Sequence, residues 1–310
     1  MDSSQIISDY LEVISKTKSK KTHQTYQLAL NTFVHIVKDA PLTTETFGRF
    51  LLETSQMNPS TQALYTSAIL GLYIYASQFI EVNLAALQQA KRLYARHRGQ
   101  RLPTFDKKAI EKVIAYCEHM QSTDLGDLRD RAFILTLADT GLRISEACSL
   151  RRGDIDWNEG RSITIGKGDK QDVIRYSDRC MAAIKKYLTA RKELDGTTGK
   201  PLPSLPLFCR HGKSAGKGKV REIQSDGMWL AIKQRMREAG VNPKSVRIHD
   251  FRHYFVTCLY VSSNDLLATK EGARHSSMAT TQRYAHISDE RVDRVFDDAI
   301  NRRKNLSEDE

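Results

Sequence analysis

Apolar residues recur at helical spacing through the first part of the chain. Ile6, Ile7, Tyr10, Leu11 and Ile14 form one stripe, and Tyr26, Leu28, Leu30, Phe33, Ile36 and Val37 form a second. A period near 3.6 with polar residues between predicts helices that bury one face. Shorter helices are expected over residues 43–52 and 84–94. Asn58-Pro59-Ser60 reads as a helix start, with Asn58 as cap and Pro59 in the first turn. The helix it opens carries Leu64, Ala68, Leu72 and Tyr75. Four or five helices in about 95 residues make a small bundle.

The pattern stops at Arg96-His97-Arg98-Gly99-Gln100-Arg101-Leu102-Pro103, which is polar, basic and broken by glycine and proline. The expected organisation is a helical domain over 1–97, a linker over 98–103 and a second domain over 104–310. Helical periodicity resumes at 107–120 and 128–139. Thr140-Gly141-Leu142-Arg143-Ile144-Ser145-Glu146-Ala147 then reads as a turn and a short helix. Residues 162–165 and 172–176 are β-like and flank Gly166-Lys167-Gly168-Asp169-Lys170, a hairpin with a basic tip. Helices are expected at 178–192, 226–239, 248–260 and 264–273, with an exposed loop at 194–206. Near the end, Val292, Val295, Phe296, Ala299 and Ile300 give one more amphipathic helix. The fold class expected is mainly α: a helical bundle, then an α-rich α+β domain with one small antiparallel sheet.

Charge narrows the partner. The 310 residues carry a net charge of +11. Residues 1–97 hold 9 Lys+Arg against 7 Asp+Glu, and the remainder holds 39 against 30, so the excess lies in the second part. Such an excess favours a polyanionic partner, nucleic acid first and an anionic membrane surface second. Five widely spaced cysteines without a CxxC pair suit reduced thiols, not a disulfide frame or a zinc site. No signal peptide is evident, and the longest apolar run, at 69–75, is too short to span a bilayer. A cytoplasmic, nucleoid-associated protein is expected. No Walker A loop, HExxH or HxE…CxxC signature is present.

Six residues suggest chemistry: Arg143, Lys167, His249, Arg252, His275 and Tyr284. Arg143 lies where a loop becomes a helix, a place where a cation reaches an anion. Lys167 occupies a glycine-flanked tip, where Lys170 competes for its role. His249 and Arg252, three apart, share a helix face. A guanidinium there holds two phosphate oxygens, and an imidazole moves protons near neutral pH. Each alone has an ordinary structural explanation. Together, two guanidiniums, two imidazoles, an ammonium and a phenol suffice to break and remake a phosphodiester without a metal or other cofactor.

In order and spacing these residues resemble the tyrosine recombinase family, the phage integrase and Xer-like enzymes. Thr140–Glu146 is similar to the family's first arginine box. Gly166–Lys170 is similar to its hairpin lysine motif, with Lys167 24 residues after Arg143. His249-Asp250-Phe251-Arg252-His253 resembles its HxxR box. His275-Ser276-Ser277 and Thr280-Thr281-Gln282-Arg283-Tyr284 resemble its last two boxes, 23 residues after Arg252 and a further nine to the tyrosine. The resemblance is strong over 104–300 and looser over 1–97, which is similar to the family's core-binding bundle. It departs at Gly272-Ala273-Arg274, where the family usually has Leu-Gly before the histidine.

The resemblance implies a site-specific recombinase that joins Tyr284 to a 3′ phosphate, frees a 5′ hydroxyl and passes through a Holliday junction without metal or ATP. Arg143 and Arg252 would stabilise the charged phosphate. His249 would take the phenol's proton, Lys167 would protonate the leaving oxygen, and His275 would donate to a non-bridging oxygen. Its partners would be double-stranded DNA with paired half-sites and three further copies, joined through the C-terminal helix. No membrane is implied. Two alternatives share the residues or the fold: a type IB-like topoisomerase and a non-catalytic DNA-binding protein.

Overall fold

The computed structural model describes residues 2–38, 40–94, 105–165, 171–211 and 220–285. The linker at 98–103, Lys167, Lys170 and the amphipathic segment at 292–300 therefore lie outside the described residues. The chain divides into two compact units, Met1–Gln100 and Arg101–Glu310.

The first unit contains α1 (Ser3–Thr17), α2 (Lys20–Val37), α3 (Thr44–Glu53), α4 (Pro59–Ala76) and α5 (Leu84–Leu93). The Asn58 side chain accepts from the Ser60 N–H and Pro59 occupies the first turn of α4, as the sequence predicts. Thr43 and Thr46 exchange hydrogen bonds in a capping box at the start of α3. Ala68, Ile69, Leu70, Leu72, Tyr73 and Ala76 are all buried, so α4 is the central helix. The outer helices lay one face on it. Ile6, Tyr10 and Ile14 come from α1, and Leu30, Phe33 and Val37 from α2. Leu28 and Leu64, which share the helical spacing, remain exposed.

The second unit contains α6 (Lys107–His119), α7 (Leu125–Thr140), α8 (Ile144–Ser149), β1 (Ile155–Asp156), β2 (Arg161–Ile165), β3 (Gln171–Arg175), α9 (Asp178–Ala190), α10 (Lys192–Gly196), α11 (Ser225–Glu238), α12 (Asp250–Ser263), α13 (Leu266–Gly272) and α14 (Met278–Ala285). The antiparallel sheet has the order β1-β2-β3. Ile163 lies opposite Val173, and the two-residue β1 pairs at the far edge of β2. The segment expected as loop at 194–206 takes in the end of α10 and a turn of 3-10 helix at Leu202–Ser204.

Here α7 is the central helix, with Leu128, Ala132, Phe133, Ile134, Leu135, Leu137 and Ala138 all in the core. Its buried Arg129–Asp130 pair is tied in by Arg235 from α11. With α7 fixed by this core, its C-terminus at Thr140 becomes a firm support for the turn that follows.

Candidate active site

The Thr140–Arg143 turn begins where α7 stops. Gly141 adopts a left-handed conformation, φ 61°, and its N–H closes the helix on Leu137. A Cβ here would stand 2.2 Å from the Phe255 ring. Glycine therefore meets two demands, a positive φ and a close approach. Arg143 follows as the N-cap of α8, as expected for a residue at the loop-to-helix junction. Its backbone N–H donates to the Glu146 carboxylate at 2.9 Å, and its guanidinium donates at 2.6 Å. Burial opposes ionisation of Glu146, but those bonds hold its pKa below the ordinary value. The Arg143 side chain keeps 54% of its exposure.

Two contributions come from the start of α12. His249 is the N-cap, and Asp250 accepts the Arg247 N–H at 2.7 Å. Arg252 lies in the first turn and is buried. One arm of its guanidinium donates to the Gly141 carbonyl and the other to Ala273, each at 2.6 Å. Burial, then the charges of Arg143 and Arg274, lower its pKa to about 10, so it remains a cation at neutral pH. One turn beyond His249, the His253 ring stands edge-on to it at 5.2 Å between centroids.

The last part is the turn between α13 and α14. Arg274 has φ 54°, and its Nη2 donates to the Thr140 carbonyl at 3.2 Å. The His275 Nδ1 and Thr281 Oγ1 lie 2.9 Å apart, and the ring stacks on Tyr284 at 6.2 Å. Thr280 and Thr281 fall inside α14, one turn before Tyr284. Tyr284 is 3% exposed and packs with Val256, Ala273 and Phe255. Its hydroxyl hydrogen-bonds His253 Nδ1. Burial pushes the phenol up to about 12, with Arg252 pulling the other way. His275 and His253 are both lowered to about 4, first by burial and then by Arg252 and His249 respectively. His249 is lowered by its partial burial and by Arg252 and Arg143.

Five of the six residues singled out in the sequence thus converge, and each of the histidines feels the guanidiniums beside it. The sixth, Lys167, lies outside the described residues. The phenol's partner is His253 rather than His249. The sequence signal for His253 was its position: it follows Arg252 directly and lies four residues after His249 on the same helix. No group of three or more His, Cys, Asp or Glu side chains stands together as a metal site among the described residues.

The sequence profile of the phage integrase family matches residues 103–291, which takes in all six positions from Arg143 to Tyr284. The chain belongs to the phage integrase family. Among these tyrosine recombinases, the XerC protein of Thermodesulfovibrio yellowstonii is 25% identical over 300 residues, 94% of each chain. The XerC protein of Actinobacillus pleuropneumoniae is 27% identical over 309 residues, covering 97% of this chain and 94% of its own. The XerD protein of Listeria monocytogenes is 33% identical over 188 residues, 60% of this chain and 59% of its own. The fold is also that of solved recombinases. The XerH site-specific recombinase bound to its palindromic difH substrate superposes with a TM-score of 0.69 at 23% identity, over 94% of this chain and 83% of that one. The Tn1549 transposon integrase in complex with circular intermediate DNA gives 0.66 at 15%, over 92% and 95%. The mainly helical architecture with a small antiparallel sheet, expected from the pattern of residues, is the architecture of this family. Among the described residues, no helix is long and apolar enough to cross a membrane.

Proposed function

We propose that the protein is a site-specific DNA recombinase with Tyr284 as its nucleophile. The observation that carries this reading is the setting of one phenol. Tyr284 is buried against the His275 ring, hydrogen-bonded to His253 and within the electrostatic reach of Arg252. A tyrosine that merely fills a core needs one polar partner, not a ring of cations and imidazoles.

In the proposed step the phenol gives its proton to His253, the ring it touches. His249, with its exposed edge, exchanges that proton with solvent. The Tyr284 oxygen attacks phosphorus, the bond to the 5′ oxygen breaks, and that oxygen takes a proton from Lys167. Arg143, Arg252 and the His275 Nε2–H hold the non-bridging oxygens as charge builds on them. The phosphodiester is conserved as a 3′-phosphotyrosine, so rejoining needs no ATP and no metal. Attack by the 5′ hydroxyl of a partner strand reverses the chemistry, and two rounds exchange two duplexes through a Holliday junction.

The substrate in this reading is double-stranded DNA with paired half-sites. The net charge of +11 supports it, as do the DNA complexes formed by the XerH recombinase and the Tn1549 integrase. The helical first unit would grip the duplex as a core-binding domain, and the amphipathic segment at 292–300 would link four copies in the cytoplasm, at the nucleoid.

The test is to trap covalent protein–DNA adducts in cells with denaturant, for the wild type and for Tyr284→Phe, and to sequence the attached DNA. Adducts at paired, closely spaced positions that vanish in Tyr284→Phe are expected. Tyr284-dependent adducts scattered along the genome would replace the reading with a topoisomerase, and their absence from the wild type would leave a DNA-binding protein.

A further inference from the structure

Arg274 occupies a conformation that disfavours it. At φ 54° a side chain crowds its own backbone, whereas glycine is relaxed. Its guanidinium nonetheless turns inward, onto the Thr140 carbonyl. The next carbonyl along that turn, Gly141, accepts from Arg252, and the other arm of Arg252 reaches Ala273, the residue before Arg274. The two guanidiniums therefore staple the same pair of turns, and Arg143 stands two residues beyond Gly141.

Among the described residues the counter-charges are few. Glu146 faces both Arg143 and Arg274, but its carboxylate is already bonded twice by Arg143. Asp172 also faces Arg274, from β3. Three clustered guanidiniums with so little opposing charge favour a bound anion. Arg274 keeps partial solvent exposure, and the Thr140 carbonyl takes one of its five N–H donors among the described residues. Strained backbone that persists beside a reacting group is the kind of outlier that calls for a functional reason.

We propose that Arg274 is a third phosphate-binding cation of this site, donating to a non-bridging oxygen of the scissile phosphate while Tyr284 attacks. The inference rests on the reading of Tyr284 as nucleophile. It adds a group that the six-residue set lacks, at a position where a glycine would fit the backbone better.

The strain supplies the control. Arg274→Gly relieves the positive φ, so the variant is expected to fold as well as the wild type. The experiment measures single-turnover cleavage on a nicked duplex carrying the sequence recovered from the Tyr284 adducts. The scissile group is made either as the native phosphate or as an uncharged methylphosphonate. Arg274→Gly should cleave the phosphate at least about 10-fold more slowly than the wild type, as for loss of one donor to a charged intermediate. On the methylphosphonate, which lacks the charge that Arg274 would neutralise, the gap should shrink to within about threefold. Arg274→Lys should fall between the two proteins, because it restores a charge without the planar fork. Wild-type rates for Arg274→Gly on phosphate would overturn the proposal. So would an equal deficit on both substrates, which would make Arg274 a brace for the turn. Failure of the wild type to cleave would instead overturn the recombinase reading on which the proposal stands.

Discussion

At the scale of single residues, the proposed chemistry turns on one proton. With its pKa pushed up to about 12, Tyr284 is ionised to only about one part in 10⁵ at pH 7. A base must take the proton as the oxygen attacks. In the proposed mechanism that base is His253, whose ring hydrogen-bonds the Tyr284 hydroxyl. Replacing His253 with Gln should slow adduct formation about 100-fold or more, the usual worth of a positioned base. His249→Gln, which leaves the contact with Tyr284 intact, should cost less. Single-turnover cleavage by the two variants decides between them, and the reverse order would return the base to His249. The pH profile carries a sign as well. A base works when neutral, so the rate falls as pH drops through its pKa. His253 sits at about 4 in the free protein, chiefly through burial, so the acid limb of kcat/KM should lie below the ordinary histidine range. A bound phosphate anion raises a neighbouring imidazole, so the limb of kcat should lie at higher pH than that of kcat/KM.

At the scale of elements, the site is a junction of three turns whose partners are remote in sequence. Gly141 shows how tightly they fit. Gly141→Ala would put a side chain at φ 61° and drive its Cβ into the Phe255 ring. The left-handed strain and the overlap should together cost about 2–5 kcal/mol. Urea unfolding should show that loss. Adding Phe255→Leu should recover the overlap part and leave the backbone part, whereas no recovery would mean that Phe255 is not what excludes the Cβ. The same junction explains what was legible in the sequence. Local signals worked: Asn58 and Pro59 start α4, and Arg143 caps α8 as the loop-to-helix reading required. The β2–β3 hairpin was visible from its β-like flanks, but β1 has only two residues, too few to leave a pattern. Leu28 and Leu64 carry helical spacing yet stay exposed, because periodicity marks a stripe and not which of its members the neighbouring helices cover. The list of chemical groups could be read from the chain, and five of them do converge. Their partners could not. Arg252 reaches Gly141 across 111 residues and Ala273 across 21, and His253 meets Tyr284 across 31. Such pairings depend on the packing of α7, α12 and α14, which no local pattern encodes.

At the scale of the whole molecule, charge and protonation meet in the second unit, which holds most of the positive excess and, among the described residues, all the histidines with lowered pKa. His211, His253 and His275 lie at about 4, against an ordinary value near 6.5. Between those limits the unfolded chain binds protons that the folded chain refuses. Stability therefore rises with pH in that window and is lost as pH falls from about 6.5 towards 4. An anion held among Arg252, His249 and His275 changes this balance. It favours the imidazolium forms, so the folded protein takes up protons on binding it, and by linkage binding strengthens as pH falls. Sulfate is a suitable probe because its charge is constant across the range. At equal ionic strength, replacing chloride with sulfate should raise Tm more at pH 5.5 than at pH 7.5. Sulfate also stabilises proteins through exclusion from their surfaces, an effect that does not depend on these side chains. A His249→Gln, His275→Gln double variant separates the two effects: it should keep the exclusion effect and lose the pH dependence. An equal gain at both pH values in the wild type would mean that the anion binds away from the imidazoles. The arginines would then hold phosphate without them, and His275 could not be the donor to its non-bridging oxygen.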